Sequence, residues 1–168
     1  MEFLRKIKGI IMASIWLAMS VSCNWNNVSY NAYTSVPQEW TREDTMRFNL
    51  PELPFGHMCS FNVGVRYTDT YTYRNICLLF RHNVGDSLNW QTDTICCSLY
   101  DDEGTPLGKG LAGVYTIESP CFTLSSDGSR QSQVQIVHCM SSDSLRGISD
   151  VGLIVKCVPI SGRDKDKK

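Results

Sequence analysis

The sequence lacks any strong excess of charge. Its 16 lysine and arginine residues nearly balance 17 aspartate and glutamate residues, which leaves a formal net charge of −1. Proteins that bind nucleic acid usually present a basic face to the phosphates. We therefore expect no nucleic acid partner. The one dense charge cluster, residues 161–168, alternates in sign and is predicted to be a disordered charged tail.

The sequence also lacks an apolar run long enough to cross a membrane comfortably. A spanning helix needs about 20 apolar residues, whereas the mostly apolar run near the N-terminus covers only residues 9–22. Basic residues precede this run, and small residues lead from it to Cys23. This order is typical of a lipoprotein signal peptide. We predict that residues 1–22 are removed and that a lipid such as palmitate, attached to Cys23, anchors the chain in the membrane.

Two alternatives remain for this N-terminal segment. An ordinary signal peptide would be cut without lipid attachment and would leave Cys23 as a plain thiol, and an uncut segment would stay as an anchor. Ser20 departs from the leucine that is usual three residues before a lipidated cysteine, whereas the small Ser22 and the polar Asn24 fit the lipoprotein pattern. The mass of the mature protein distinguishes the three.

Histidine is scarce, and the three present do not form a recognisable site. His57, His82 and His138 show no clustering with other ligand types at metal-binding spacing. The glycine-rich residues 108–110 lack the spacing of a phosphate-binding loop, and no cysteine is marked as an activated nucleophile. We predict no enzymatic activity, no cofactor and no metal. A calcium ion at the acidic turn 101–103 stays a minor alternative.

Cysteine, in contrast, is abundant, with eight residues in the chain. If Cys23 carries lipid, an odd number remains, so the others cannot all pair within one molecule. Export permits disulfides, but cysteines inside apolar runs also serve as small buried hydrophobes. The sequence leaves open whether the thiols are mostly free or form one or two bridges. Cys96 and Cys97 point to opposite faces of a strand and are not expected to pair with each other.

Short stretches of alternating apolar and polar residues, separated by turn signals, recur along the chain. Residues 45–50 alternate strictly, and residues 75–82 form the most apolar stretch. We count seven to nine such strands in the sequence and find no convincing helical pattern. The predicted fold is all-β, an antiparallel β-sandwich of jelly-roll type, over residues 43–160. Residues 23–42 are predicted to tether it to the membrane.

Aromatic residues gather near the predicted turns. We expect Tyr67, Tyr71, Tyr73 and Trp90 to lie at or near one end of the sandwich. Exposed rings there would stack on sugars or contact a partner. The alternative is that the rings cover the end of the core.

Several motifs follow one another in a characteristic order between Tyr33 and Lys156. They are the pair Tyr33 and Trp40, the segments 65–67, 71–76, 93–95 and 107–110, and the block 145–153. The last block, Leu145-Arg146-Gly147-Ile148-Ser149-Asp150-Val151-Gly152-Leu153, is the most specific. In these motifs the chain resembles the gliding motility lipoprotein GldH family of Bacteroidetes.

This resemblance implies an envelope lipoprotein of the gliding and type IX secretion lineage, without catalytic residues, in a family that also occurs in bacteria that do not glide. A lipid on Cys23 fits it. Residues 24–27 lack the acidic run that directs many lipoproteins of that phylum to the cell surface. We therefore expect an outer membrane lipoprotein that faces the periplasm and contacts envelope proteins. The alternative function is a jelly-roll module that binds a glycan or another ligand.

Overall fold

The computed structural model describes residues 28–85, 88–128 and 131–160. The predicted signal peptide, the predicted lipidation residue Cys23 and the predicted charged tail lie outside these ranges. Within them the chain forms strands and no helix. The strands are β1 (Val28–Ser35), β2 (Trp40–Thr41), β3 (Met46–Leu50), β4 (His57–Thr68), β5 (Asn75–His82), β6 (Gln91–Ser98), β7 (Lys109–Leu111), β8 (Val114–Ser126), β9 (Ser132–His138), β10 (Ser144–Leu145) and β11 (Ile148–Pro159).

Two antiparallel sheets form the sandwich. The larger has the strand order β1-β11-β4-β8-β7, and the smaller has the order β3-β9-β5-β6. Strands β2 and β10 form a separate short pair. When the three short strands β2, β7 and β10 are left aside, each sheet has four strands. Their orders are β1-β11-β4-β8 and β3-β9-β5-β6. This strand order is that of a jelly roll. The predicted all-β antiparallel sandwich is confirmed.

Alternation of side chains explains why these segments are strands. In β3 and β9 every second residue is buried, so one face of each strand packs on the core. Phe61 of β4 stacks on Phe122 of β8, with ring centroids 4.5 Å apart, and Phe80 of β5 meets Phe122 edge-on at 5.8 Å. These rings join the two sheets through a shared core.

Strand β1 starts well before the predicted boundary of the sandwich. It pairs with β11 along its whole length, from Val28 to Ser35. On the outer face the ring of Tyr33 lies over Gly152 and Gly64 of the next two strands, and the guanidinium of Arg66 stands 4.0 Å from the ring centroid. The first described strand of the sandwich is therefore at Val28, ahead of the predicted boundary at residue 43.

Strand β8 runs without a break through Pro120. The register with β4 shifts between Phe61 and Asn62, so Cys121 is the extra residue of a β-bulge. Strand β7 pairs with β8 only as far as Thr116. Pro120 is tolerated because no ladder hydrogen bond is required on that open edge.

Two disulfides link neighbouring strands. Cys59 and Cys157 join β4 to β11 on the inner face of the larger sheet, and Cys77 and Cys96 join β5 to β6 in the smaller sheet. Among the described cysteines, Cys97, Cys121 and Cys139 are free. The structure thus decides the question that the sequence left open in favour of two bridges, with Cys96 and Cys97 unpaired with each other as predicted.

The sandwich has two distinct ends. We call the end at which β1 begins, at Val28, the proximal end. Strands β4 and β6 also begin at this end, and strands β5, β8 and β11 end there. The distal end is the opposite one, where β4 and β6 end and the β7–β8 hairpin turns. Strand β4, with 12 residues, spans about 36 Å between them.

Candidate functional site

The structure separates the four aromatic residues that the sequence placed together. Tyr67, Tyr71 and Tyr73 lie at the distal end, whereas Trp90 directly precedes β6 and lies at the proximal end. Strand β5, with eight residues, stands between Tyr73 and Trp90 and spans about 25 Å. These four side chains therefore do not form one binding surface.

Two of the distal tyrosines belong to the core. Tyr67 is fully buried, and its hydroxyl donates to the carbonyl of Leu99 at 2.6 Å and accepts the N–H of Gly108 at 3.0 Å. Tyr71 is also buried and donates to the carbonyl of Asn75 at 2.9 Å. Burial raises the pKa of both hydroxyls. Both rings close the end of the core, and Tyr67 has no exposed surface to offer a ligand.

An aromatic groove of about 430 Å³ opens at the distal end. Tyr73 is its exposed ring, and its surface is 37% accessible. We call this site the tyrosine groove. Its aromatic walls are Tyr71, Tyr73, Tyr100 and Tyr115, and its polar lining includes Asp69 and Arg74.

Main-chain hydrogen bonds hold the tyrosine groove in shape. The N–H of Tyr100 donates to the carbonyl of Arg74 at 3.1 Å, and the Tyr100 hydroxyl donates to the carbonyl of Thr68 at 3.1 Å. The guanidinium of Arg74 forms an ion pair with Asp102. Because these bonds join the loop between β4 and β5 to the loop that follows β6, they fix the positions of the aromatic walls relative to one another.

Sequence reasoning missed Tyr100 and Tyr115. Tyr100 precedes a turn in which the Asp101 carboxylate accepts the N–H groups of Glu103 at 3.1 Å and Thr105 at 2.7 Å. An aromatic residue beside a turn is the signal that singled out the other tyrosines, so it would have found Tyr100 too. Tyr115 carries no such signal, because only the pairing of β4 with β8 brings it beside the groove.

An exposed hairpin borders the tyrosine groove. Ala112 and Gly113 have φ angles of 55° and 79°, which is the backbone of a tight two-residue turn between β7 and β8. A Cβ atom on Gly113 would lie 3.6 Å from a carboxylate oxygen of Asp69, so the hairpin tip adjoins the groove lining. We call this segment the apolar hairpin. Its exposed apolar side chains are Leu107, Leu111 and Val114.

A second cavity, of about 640 Å³, lies at the proximal end with the buried His82 in its wall. Nε2 of His82 lies 3.5 Å from the Asp93 carboxylate, and Nδ1 accepts the N–H of Val84 at 3.4 Å. The ring stacks on Phe122 at 4.4 Å. Burial lowers the pKa of His82 and outweighs the opposing effect of Asp93. Both ring nitrogens are therefore engaged within the protein.

The free thiols are not activated. Burial raises the pKa of Cys97, Cys121 and Cys139, and for Cys121 it reaches about 12. Reactive cysteines need a lowered pKa. Across residues 28–85, 88–128 and 131–160, the histidine, cysteine and acidic side chains form no group of three that is arranged to hold a metal ion.

The described part of the chain also contains no helix that is long and apolar enough to cross a membrane.

Comparisons with known proteins give one family match. The family model described as GldH lipoprotein matches residues 28–155. No curated protein matches the sequence. The solved structure of Eiger TNF from S. frugiperda is 10% identical, with 84% of this chain and 96% of that chain covered and a TM-score of 0.35. The structure of infectious bursal disease virus Gx strain is 8% identical, with 82% and 32% covered and a TM-score of 0.30. Scores this low carry no argument about function.

Proposed function

Since this chain belongs to the GldH lipoprotein family, we propose that it is an outer-membrane-anchored, non-enzymatic lipoprotein that supports a gliding motility or type IX secretion-related envelope assembly through protein contacts. The lipid on Cys23 would anchor it. The absence of an acidic run in residues 24–27 supports an address on the periplasmic face of the outer membrane.

The distal surface is the observation that carries the proposal of protein contacts. The apolar hairpin exposes Leu111 and Val114 beside the tyrosine groove, which exposes Tyr73. Contiguous exposed apolar and aromatic side chains with a polar rim are characteristic of protein interfaces. This surface lies at the opposite end of the sandwich from Val28, so it would stand about 36 Å beyond the anchored end. A partner can reach it without competing with the membrane.

Capture of partners in cells tests this proposal. The tagged, lipidated protein is crosslinked in its own cells and purified, and the captured envelope proteins are identified. We expect Leu111→Ser combined with Val114→Ser to abolish capture of at least one of them. Leu88→Ser, an equally exposed leucine at the proximal end, is the matched control and should retain it. Capture of no envelope protein by the intact chain, or equal capture by all variants, would contradict the proposal.

The tyrosine groove also supports a second candidate, the binding of a glycan. Tyr71, Tyr73 and Tyr115 line a groove of about 430 Å³, and aromatic faces stack well on sugar rings. Titration of the protein with polysaccharide fractions from its own envelope tests this. We expect Tyr73→Ala to abolish the binding if the groove is a glycan site. Absence of binding by the unmodified protein would end this candidate without affecting the first.

A further inference from the structure

The proximal end carries an exposed apolar patch on adjoining strands. Met58 of β4 and Val158 of β11 are register partners, and both are exposed on the outer face. The N–H of Ile160 donates to the carbonyl of Gly56 at 3.1 Å, which brings the exposed Ile160 beside the loop that carries the exposed Phe55. We call Phe55, Met58, Val158 and Ile160 the proximal patch. Trp90 is exposed at the same end.

The first strand begins directly beside this patch. Val28 pairs with Cys157, the residue before Val158. Because neighbouring strands are about 4.8 Å apart, Met58 lies within about 10 Å of Val28. In the sequence, five peptide units lead from Cys23 to Val28, and they can span at most about 18 Å. A lipid on Cys23 therefore holds the proximal patch close to the bilayer surface.

We propose that the proximal patch, together with Trp90, docks on the surface of the bilayer that holds the Cys23 lipid. This inference depends on the proposed lipid anchor. The short tether favours lipid over protein as the occupant, because a small globular domain is about 30 Å across and would not fit into a gap of about 18 Å. The tether also raises the effective concentration of the bilayer at the patch, so a weak contact is enough. Tryptophan side chains favour the membrane interface.

The docking contact is apolar rather than electrostatic. The exposed charges at this end are two cations, Lys156 and Arg81, and three carboxylates, Glu52, Asp93 and Asp127. The described residues of this end therefore direct no excess of positive charge at the bilayer. We expect docking on uncharged phosphatidylcholine and little change between about 50 mM and about 500 mM salt, a range over which charge interactions are strongly screened.

Tryptophan quenching by brominated phosphatidylcholine tests the docking. The full lipidated protein, with Trp25→Phe to remove the tryptophan nearest to the lipid, is reconstituted into vesicles. Trp40 is fully buried and cannot contact bromine, so quenching reports Trp90. The test variant combines Phe55→Ser, Met58→Ser and Val158→Ser, with exposures of 78%, 39% and 46%. The matched control combines Leu107→Ser, Leu111→Ser and Val114→Ser at the distal end, with exposures of 50%, 87% and 43%.

We expect Trp90 to be quenched in the parent protein and in the distal control. The test variant should lower the ratio of docked to undocked protein by roughly tenfold or more, because three apolar side chains leave the contact. The single variant Phe55→Ser, in a loop, should give a smaller loss in the same direction and serves if the triple variant fails to fold. The proposal would be overturned if Trp90 of the parent protein were not quenched, if the distal control lost docking as much as the test variant, or if docking were lost as the salt concentration rises. The mass of the mature protein separates the two failures: a chain without lipid on Cys23 contradicts the anchor, whereas a lipidated chain with an unquenched Trp90 contradicts the docking alone.

Discussion

Gly147, in the most specific motif of the sequence, is expected to be among the least replaceable residues of the described chain. Its φ angle is +85°, in the left-handed region that favours glycine. A Cβ atom there would contact the main-chain nitrogen of Tyr71 and lie 2.7 Å from the Tyr71 Cα. Its carbonyl accepts the N–H of Thr68 at 2.8 Å. Gly147→Ala would therefore strain its own backbone and displace the main chain that carries one wall of the tyrosine groove.

The magnitude follows from two separate costs. A left-handed conformation costs an L-residue about 1–2 kcal/mol. Overpacking against a backbone that cannot rotate away adds about 1–3 kcal/mol. Gly104 provides the matched control, because its φ is +81° but a Cβ atom there meets nothing within 4 Å. We expect Gly147→Ala to lower the free energy of unfolding by about 2–5 kcal/mol and Gly104→Ala by about 1–2 kcal/mol.

Equilibrium urea unfolding of the unlipidated chain from Asn24 onward measures both variants under identical conditions. The difference between them isolates the steric contact of Gly147 with Tyr71, because the backbone cost is shared. Equal destabilisation by the two substitutions would show that the close approach to Tyr71 contributes nothing. A stable Gly147→Ala protein would refute the reasoning altogether.

Two further predictions concern stability. Removal of the Cys59–Cys157 bridge, which spans 98 residues, should lower the free energy of unfolding by about 5 kcal/mol, against about 3 kcal/mol for the Cys77–Cys96 bridge, which spans 19. Urea unfolding of the two double-alanine variants checks this order. A reversed order would contradict the loop-entropy argument. The buried His138 packs edge-on against Trp40, and desolvation lowers its pKa despite an opposing main-chain hydrogen bond with Trp40. Because the ring binds protons more tightly in the unfolded chain, the free energy of unfolding should be constant above about pH 6.5 and fall below it, by at most about 1.4 kcal/mol per pH unit for this group. His138→Phe should flatten this fall in stability between about pH 7.5 and about pH 5.5. An unchanged slope in the variant would contradict the prediction.

Sequence patterns predicted the architecture well where alternation is strict. Strands β3 and β5 begin and end within about one residue of the stretches predicted at 45–50 and 75–82, since one face of each packs on the core. Strand β1 was not predicted: Val28, Tyr30 and Ala32 alternate with Ser29 and Asn31, but residues 24–42 as a whole are rich in asparagine, serine and threonine and indicated a tether. It becomes a strand because the Tyr33 ring fits over Gly64 and Gly152, which lie far away in the sequence.

The candidate site was predicted only in part, for a similar reason. Tyr71 and Tyr73 lie together at the distal end, but Trp90, close to them in the sequence, lies at the other end because β5 carries the chain across the sandwich. Proximity along the chain does not say which end a loop occupies. That depends on how many strands separate two residues and on their lengths.

The amino-acid sequence by itself determined the all-β character and the family motifs, and it predicts lipidation at Cys23, because each of these depends on neighbouring residues and short periods. The tertiary structure alone decided which cysteines are bonded, where the sandwich starts and which aromatic side chains meet. Cys59 and Cys157 are paired by the register of β4 and β11, and Gly147 is required by the main chain of Tyr71. Contacts of this kind join residues tens of positions apart, and no local pattern encodes them.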